Sequence, residues 1–332
     1  MRFRFTLWLY GPMLWQDDTE QRIEQMIDAG RKITADAIKQ YKPVAIFGGF
    51  SGGDDSIVAT HFATSEFGAA VAHCNTLTGM ETNRQHIGAI VKRFGWHLIE
   101  KHAVALGPPK STRKRINGKR VDLPFDPSRL PTGKWQDGAT AYEEYCFNFG
   151  MPGPGQHGRQ YQRLKERSFN AIRRDAKQGH NRYATVMMIT GIRRDESSIR
   201  AGYKRAISTV GSTVWVNPFY WFDALAFELY RQEFGLPRNP VKPVVGISGD
   251  CMCGTMGEPH ELDLAAKLEP KKKVYIRGIE LKCESLGLPC KWATRPAKKQ
   301  KTDELQLTLF GDEPTWQPAC VGCSRRQHAK AV

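Results

Sequence analysis

The chain has 332 residues, 40% of them hydrophobic, and carries a formal net charge of +15. This composition indicates a soluble globular protein with one large domain and an appended module. The sequence excludes a transmembrane segment near the start, because the apolar run over 3–15 is too short and is interrupted by Arg4 and Gly11. Acidic residues follow that run, so no secretory signal is predicted, and a cytoplasmic location without membrane attachment is expected.

The first hundred residues predict three strand–helix repeats. An irregular extension over 1–17 precedes a helix at about 18–41. Strands are predicted over 44–50, 69–75 and 97–104, and helices over about 57–62 and 82–95 separate them. Strands that alternate with helices are typical of a doubly wound parallel sheet, so the predicted fold class is α/β.

The rest of the chain mixes helical segments with stretches rich in Pro, Gly and basic residues. The stretch over 107–138 predicts a long mobile loop. Helices at about 139–149, 161–175 and 221–234 and a strand at 184–190 follow. Prolines at 237, 240 and 243 mark the boundary to a Cys-rich tail. The predicted units are an N-terminal extension and helix (1–41), a nucleotide-binding domain (42–245) and a Cys-rich basic C-terminal module (246–332).

A glycine- and hydroxyl-rich loop follows the first predicted strand and opens a helix. Its sequence is Ser51-Gly52-Gly53-Asp54-Asp55-Ser56. Glycines allow a close approach of the backbone to an anion, serines donate hydrogen bonds, and a helix N-terminus attracts phosphate. The spacing differs from the Walker and the dinucleotide-binding patterns. The alternative is an ordinary Gly/Ser turn between a strand and a helix.

Two further loops are predicted at the carboxyl ends of strands, where doubly wound sheets bind ligands. The loop over 76–82 contributes Thr78 and Gly79, and the loop over 191–200 contributes Arg193 and Arg200. Arginine provides forked donors that suit phosphate. Lys165 is a weaker candidate for an anion contact, the alternative being a solvated helix face. The loop over 191–200 could instead be the N-terminus of a surface helix with charged residues in its first turn.

The sequence contains eight cysteines. Four of them form two close pairs near the C-terminus: Cys251 with Cys253, and Cys320 with Cys323. Four thiolates suit a structural zinc ion or a [4Fe-4S] cluster. The alternative is a set of unrelated free thiols. The roles of three others, Cys146, Cys283 and Cys290, stay open at this point.

The basic residues are concentrated in two segments. Six lie between Lys110 and Arg120, around a turn at Asn117-Gly118. Between Leu264 and Lys301 there are eleven basic and three acidic residues, in a segment that we interpret as solvated surface. Such an excess predicts a nucleic-acid partner held by its phosphates. Solubility, or retention of a nucleotide alone, is the alternative.

Several of these motifs together resemble one enzyme family. The loop over 51–56, the segments 75–82 and 164–165, Gly-Ile-Arg-x-Asp-Glu-Ser at 191–197 with Arg200, and Asn-Pro-x-x-Trp at 217–221 occur in the order seen in PAPS-reductase-like PP-loop ATP pyrophosphatases. The resemblance covers about 40–260. It implies an adenine-nucleotide-binding fold in which the 51–56 loop binds phosphates, with Arg193 in the same pocket.

The sequence also departs from the reductase pattern. It lacks the C-terminal Glu-Cys-Gly-x-His motif and the paired cysteines of the iron–sulfur reductases. With its Cys-rich module and its basicity, the chain resembles the sulfur-incorporating enzymes of DNA phosphorothioation systems (Dnd and Ssp type). That resemblance implies that ATP activates a backbone oxygen of a nucleic-acid acceptor, DNA before tRNA, for displacement by sulfur. We therefore expect ATP and Mg²⁺ as cofactors, Asp54 or Asp55 at the metal, and a cysteine desulfurase as sulfur donor.

The residues expected to act in catalysis are Ser51, Asp55, Ser56 and Arg193. Those expected to bind the nucleotide are Gly52, Gly53, Asp54, Thr78, Gly79, Lys165 and Arg200. Three other functions stay open. They are a sulfonucleotide reductase that uses PAPS, a tRNA-thiolating enzyme, and a non-enzymatic, metal-stabilised nucleic-acid-binding subunit.

Overall fold

The structure is a computed structural model that describes residues 19–196 and 206–294. It contains eight strands within these ranges: β1 (Ala45–Gly49), β2 (Ala70–Asn75), β3 (Leu98–His102), β4 (Ser111–Ile116), β5 (Lys119–Pro124), β6 (Val186–Ile189), β7 (Ile207–Val210) and β8 (Thr213–Val216). Six strands form one sheet in the order β3-β2-β1-β6-β8-β7, and β4 pairs with β5 alone. All neighbours in the large sheet are parallel except β7 and β8.

The helices of the described ranges follow in chain order. They are α1 (Thr19–Tyr41), α2 (Asp54–Phe67), α3 (Glu81–Phe94), α4 (Ala141–Phe149), α5 (His157–Tyr161), α6 (Arg167–Ala176), α7 (Ala224–Glu233), α8 (Lys242–Val245), α9 (Glu261–Leu268) and α10 (Pro270–Ser285). A π-helical turn over Gln162–Glu166 joins α5 to α6. Gly68 and Gly95 end α2 and α3 with positive φ angles of 59° and 63°, a conformation that glycine adopts without a Cβ penalty.

The sheet has helices on both faces. Successive residues of β6 alternate between two cores: Val186 and Met188 pack with Ile172 of α6, whereas Met187 and Ile189 pack with Ile33 of α1. This alternation is the period-two pattern of a strand that is buried on both sides. The predicted α/β class with a mostly parallel sheet is therefore confirmed.

The prediction of a mobile loop over 107–138 was wrong for its first half, which forms the β4–β5 hairpin. Asn117 and Gly118 have φ angles of 49° and 75°, as a two-residue type I′ turn requires. The Asn-Gly pair was thus the signal for a hairpin. A second hairpin, β7–β8, lies in a region for which we made no prediction.

The interpretation of the segment from Leu264 onward as solvated surface was wrong for one side of α10. Ile276, Ile279 and Cys283 are buried there and share a core with α4. Their spacing of three and four residues is the helical signal that the charge count obscured. The opposite side of α10 is exposed, with Val274 at 71% and Leu281 at 65%.

The described residues contain no helix that is both long enough and apolar enough to cross a bilayer. The long helix α1 is instead tied to the body of the domain by Arg22, whose guanidinium donates to both carboxylate oxygens of Asp223, at 2.7 and 2.8 Å. The same carboxylate accepts a hydrogen bond from the backbone N–H of Ala226 and so caps α7.

Because Asp223 both caps α7 and pairs with Arg22, we expect Asp223→Ala to lower the free energy of unfolding by about 1–3 kcal/mol. Asp223→Asn is the matched control, since asparagine also caps helices and loses only the charge. It should cost about 1 kcal/mol or less. Urea unfolding followed by circular dichroism measures both. Equal losses in the two variants would contradict a contribution from the cap.

Candidate functional site

The predicted phosphate loop connects β1 to α2 at the carboxyl edge of the sheet. The Ser56 hydroxyl donates to the carbonyl of Gly53 at 2.8 Å and accepts from the backbone N–H of Ser51 at 3.3 Å. The two serine hydroxyls lie 3.1 Å apart. Gly53 has no side chain to cap α2, so the first N–H groups of this helix are oriented toward the space above the loop. This is the geometry of an anion site.

Gly52 lies where only a glycine fits. Its φ angle is +78°, and an added Cβ would lie 2.3 Å from the Asn83 side-chain oxygen. Asn83, near the start of α3, in turn donates its amide to the carbonyl of Ser51 at 3.1 Å. The loop is therefore held against the helix that follows the neighbouring strand β2.

Asn239 connects the phosphate loop to the chain that follows α7. It is 1% exposed, and its amide donates to the carbonyl of Gly52 at 2.6 Å and to the Asn83 oxygen at 2.7 Å. A longer contact of 3.1 Å reaches the carbonyl of Ser248. Its backbone N–H donates to Asp54 at 2.9 Å. One buried side chain thus links α2, α3 and the segment that enters the predicted C-terminal module.

The loop that begins at Gly191 contacts the phosphate loop closely. An added Cβ at Gly191 would lie 2.2 Å from the carbonyl oxygen of Asp55, so the two loops touch through their backbones. Arg193 donates to Asp55 at 3.3 Å and to Asp195 at 2.7 Å. Its guanidinium also lies 5.3 Å from the centre of the Phe227 ring. Arg193 is thereby positioned at the first turn of α2.

A solvent-open cleft of about 880 Å³ lies beside this arginine, and we call it the basic cleft. Four of its lining side chains are basic and three are acidic: Arg193, Arg231, Arg238 and Lys242, with Asp54, Asp55 and Glu228. Lys242 pairs with Asp54 at 3.1 Å, and Arg238 pairs with Glu228 at 2.8 Å. The contacts with Glu228 lower the pKa of that carboxyl to about 2, chiefly through its hydrogen bonds with Arg231 and Arg238.

The loop that follows β2 packs on the segment after Asn239. The Thr76 hydroxyl donates to the backbone carbonyl of Asp250 at 2.9 Å. An added Cβ at Gly79 would lie 2.7 Å from the same oxygen. Thr78 is fully buried, and its hydroxyl donates to the sulfur of Cys251 at 3.5 Å. The two threonines thus hold Asp250 and Cys251 beside the loop that follows β2.

Lys165 is buried rather than solvated. Its ammonium lies 2.5 Å from a carboxylate oxygen of Asp250, and the two side chains are 10% and 7% exposed. Removing one member of such a buried pair leaves a charge without compensation. The pair separates two clefts, since both residues line each of them.

We call the smaller of the two clefts the inner cleft. Its volume is about 430 Å³, including the part that is open to solvent. It lies at the ends of β1, β2 and β6, and its lining includes Phe50, Ala72, Phe169 and Thr190. The larger one, the thiol cleft, has about 720 Å³ counted in the same way. Ser51, Gln160, Cys251 and Cys253 line it. Ser51 belongs to both clefts, so the phosphate loop lies where they meet.

Cys251 and Cys253 have different acidities. A hydrogen bond from Cys253, with Lys165 and Thr78 nearby, lowers the pKa of Cys251 to about 7. The same hydrogen bond and burial raise the pKa of Cys253 well above its usual range. Cys251 is therefore the thiol of the pair that deprotonates first, and the thiolate is the nucleophilic form of cysteine.

The predicted zinc ion or cluster also needs Cys320 and Cys323, which lie outside the described residues, as does Arg200. Within 19–196 and 206–294, the side chains of His, Cys, Asp and Glu form no group of three or more that could hold a metal. Cys146 and Cys283 are buried in the core shared by α4 and α10. Cys290 is partly buried and packs against the same core.

Four important residues escaped the sequence analysis: Asn83, Gln160, Asn239 and Asp250. The amide of Gln160, which is 1% exposed, has no hydrogen-bond partner among the described residues. A buried amide of this kind is available to a ligand in the adjoining cleft. The dipeptide Asn239-Pro240 was a recognisable turn signal. Asn83, Gln160 and Asp250 have no such signal in the local sequence, since their role depends on contacts between distant segments.

No protein-family model and no curated protein matches the chain. Among solved structures, it is similar to a phosphoadenylyl-sulfate (PAPS) reductase from Candida auris in complex with phosphate, with a TM-score of 0.41 and 12% identity. That match covers 71% of this chain and 94% of the reductase. A second similarity is to a Candida glabrata FMN adenylyltransferase in complex with FAD and pyrophosphate, with a TM-score of 0.37, 10% identity, and coverage of 68% and 60%.

Because Asn239 joins three segments by buried hydrogen bonds, we expect Asn239→Ala to lower the free energy of unfolding by about 2–4 kcal/mol. The exposed Asn170 on α6 is the matched control, and Asn170→Ala should change stability by about 0.5 kcal/mol or less. Urea unfolding measures both. A loss no larger than the control would show that the linkage is dispensable.

We expect the rate of Cys251 alkylation by iodoacetamide to rise with pH through a midpoint near 7. The rate rises because deprotonation creates the thiolate. Thr78→Val removes a hydrogen bond to that thiolate and should move the midpoint upward, whereas Thr209→Val, at an exposed threonine of β7, should not. Mass spectrometry of the labelled peptide gives the rates. A midpoint near 8.5, the ordinary value for cysteine, would contradict the assignment. If Cys251 and Cys253 both resist alkylation until a chelator is added, they are metal ligands instead.

Proposed function

We propose that the protein is a PP-loop ATP pyrophosphatase that adenylates a nucleic-acid acceptor and prepares it for sulfur incorporation, with DNA phosphorothioate as the product. The observation that carries the proposal is the phosphate loop. Its two serines are bonded to each other, its glycine is sterically required, and it lies between two clefts at the carboxyl edge of the sheet. Doubly wound sheets bind their ligands at this edge.

In this proposal the triphosphate lies on the loop and the adenosine lies at the open side of the inner cleft. The N–H groups at the start of α2 bind phosphate oxygens. When the nucleotide binds, the hydroxyls of Ser51 and Ser56 rotate from their bonds within the loop and donate to the phosphates. The apolar lining by Phe50, Ala72 and Phe169 suits a nucleobase. Arg193 and the basic cleft lie on the other side of the α2 N-terminus, where their charge stabilises the departing pyrophosphate.

Magnesium would accompany the nucleotide. Asp54 uses both carboxylate oxygens, one for the N–H of Asn239 and one for Lys242. Asp55 uses one oxygen for Arg193. Asp55 is therefore the better donor to a Mg²⁺ ion that also binds phosphate oxygens, because Mg²⁺ is usually held by one or two carboxylates together with substrate phosphates. When bound, the ion neutralises charge on the phosphates.

The reaction then runs in two displacements at phosphorus. An oxygen of the nucleic-acid backbone attacks the α-phosphorus of ATP, and the bond to the β-phosphate oxygen breaks as pyrophosphate leaves. The terminal sulfur of a persulfide next attacks the adenylated backbone phosphorus, and AMP leaves with the former backbone oxygen. A second thiol then attacks the inner sulfur of the P–S–S bridge, so that the phosphorothioate is released, and an external dithiol reduces the disulfide that forms. The contribution of the protein is positioning and electrostatic stabilisation of the charge that develops on the phosphates.

The sulfur would arrive as a persulfide from a cysteine desulfurase and enter through the thiol cleft. Two observations support this route. Ser51 of the phosphate loop and Cys251 line the same cleft, so a sulfur carrier there is close to the reacting phosphate. The buried amide of Gln160 offers an unused donor and acceptor beside them.

We expect Ser56→Ala to reduce release of pyrophosphate from ATP by about 100- to 1,000-fold, because the variant loses a phosphate donor and the bonds that close the loop. Asp55→Ala should lose activity as well, since it removes the metal ligand and the partner of Arg193. A coupled pyrophosphate assay with an oligonucleotide acceptor measures the rates. Ser65→Ala, at an exposed serine on the same helix, is the matched control and should retain full activity.

Unchanged pyrophosphate release in Ser56→Ala would contradict the proposal. Binding of ATP without any turnover to AMP in the unaltered protein would also contradict it, and would favour a binding subunit for which the nucleotide is a regulatory ligand. Dinucleotide mass spectrometry of DNA from cells with and without the intact protein tests the final product.

A further inference from the structure

The β4–β5 hairpin is a ribbon that stands apart from the main sheet. Its strands hydrogen-bond to each other in a register from Ser111 opposite Pro124 to Ile116 opposite Lys119, and to no strand of the six-stranded sheet. Six paired residues span about 20 Å at the rise of an antiparallel strand. Ile116 is 45% exposed, and Lys119, Arg120 and Asp122 are exposed as well.

The tip of the ribbon is a tight two-residue turn. Asn117 and Gly118 both have positive φ angles, of 49° and 75°, which is the type I′ geometry that matches the twist of paired strands. An added Cβ at Gly118 would meet nothing within 4 Å. The glycine is thus required for its backbone conformation alone.

The segment that carries the ribbon is attached to α4 both before and after the hairpin. Before the hairpin, the N–H of Gly107 donates to the buried carboxylate of Glu144 at 2.7 Å. After it, Gln136 exchanges two backbone hydrogen bonds with the side chain of Asn148, at 2.9 and 2.7 Å. Because α4 packs in the core, the segment that carries the ribbon is anchored to the domain at Gly107 and Gln136.

The ribbon is strongly basic. Between residues 110 and 124 there are six basic residues and one acidic residue, a net charge of +5. The segment contains no aromatic residue. The ribbon also follows β3, a parallel strand, so it leaves the sheet at the same carboxyl edge as the phosphate loop.

We propose that the β4–β5 ribbon is a docking element for double-stranded DNA, held by phosphate contacts with the ribbon lying in the major groove. A two-stranded ribbon fits the B-form major groove, which is about 12 Å wide. The A-form groove of RNA is too narrow for it, and binding of single strands relies on aromatic stacking surfaces, which this segment lacks. The assignment rests on the proposed function for its biological meaning, but its binding test does not need ATP.

We expect the double variant Lys119→Gln/Arg120→Gln to weaken binding of a 30-base-pair duplex about tenfold at 150 mM salt. The slope of log K against log salt should fall in magnitude by about 1.8, because two phosphate contacts are lost. The control is Lys39→Gln/Lys92→Gln, which removes the same net charge from exposed lysines of α1 and α3. It should leave the slope unchanged. Fluorescence anisotropy at several salt concentrations measures both.

A second variant tests the shape of the ribbon at constant charge. Gly118→Val places a β-branched residue at a φ angle of +75° and should distort the turn. We expect about a fivefold loss of duplex affinity with an unchanged unfolding midpoint for the domain. Equal affinity in Gly118→Val would overturn the role of the ribbon geometry.

Three further results would overturn the proposal: no duplex binding by the unaltered protein, an equal loss in the Lys39/Lys92 control, or equal binding of single-stranded RNA with the same sensitivity to the ribbon variants. Failure of the ribbon is distinguishable from failure of the proposed function. Ribbon variants should bind ATP as the unaltered protein does, whereas Ser56→Ala should lose pyrophosphate release and keep duplex affinity.

Discussion

The site depends on one buried interaction, the amide of Asn239 bonded to the phosphate loop. This side chain holds the carbonyl of Gly52 and the oxygen of Asn83 at 2.6 and 2.7 Å. A buried amide that lost these partners would be costly, so the loop, α3 and the segment leading to Ser248 occupy one mutual arrangement. That arrangement also restricts where Asp250 and Cys251 lie, because both are within three residues of Ser248. The thiol cleft is therefore a consequence of how the phosphate loop is anchored.

Buried ion pairs give this region its chemical character. Lys165 with Asp250 separates the inner cleft from the thiol cleft, and Arg193 with Asp55 lies at the start of α2. Buried pairs contribute little net stability, since desolvation offsets their attraction. Their value lies in placing charge at defined points. The lysine contributes to the lowered pKa of Cys251, and the arginine directs positive charge toward the first turn of α2.

Much of this could be predicted from local sequence. The 51–56 loop was recognisable because it requires glycine conformations and a helix start within six residues, all encoded next to each other. The same holds for the loops after β2 and β6. The ribbon was missed although Asn117-Gly118 was visible, because the surrounding charges suggested a solvated loop. The packed side of α10 was missed for the same reason: Ile276, Ile279 and Cys283 have helical spacing within a strongly basic segment.

The sequence by itself determined the alternation of strands and helices, the phosphate loop and the excess of positive charge, since these depend on residues that are close along the chain. Only the tertiary structure decided that Lys165 is buried against Asp250, that Asn239 anchors the loop, and that Cys251 adjoins the phosphate site. The hydrogen bonds Lys165–Asp250, Asn239–Gly52 and Thr78–Cys251, on which this arrangement depends, join residues that are 85, 187 and 173 positions apart. Local propensity carries no information about such pairs, because they form only when the folded sheet brings distant segments together at its carboxyl edge.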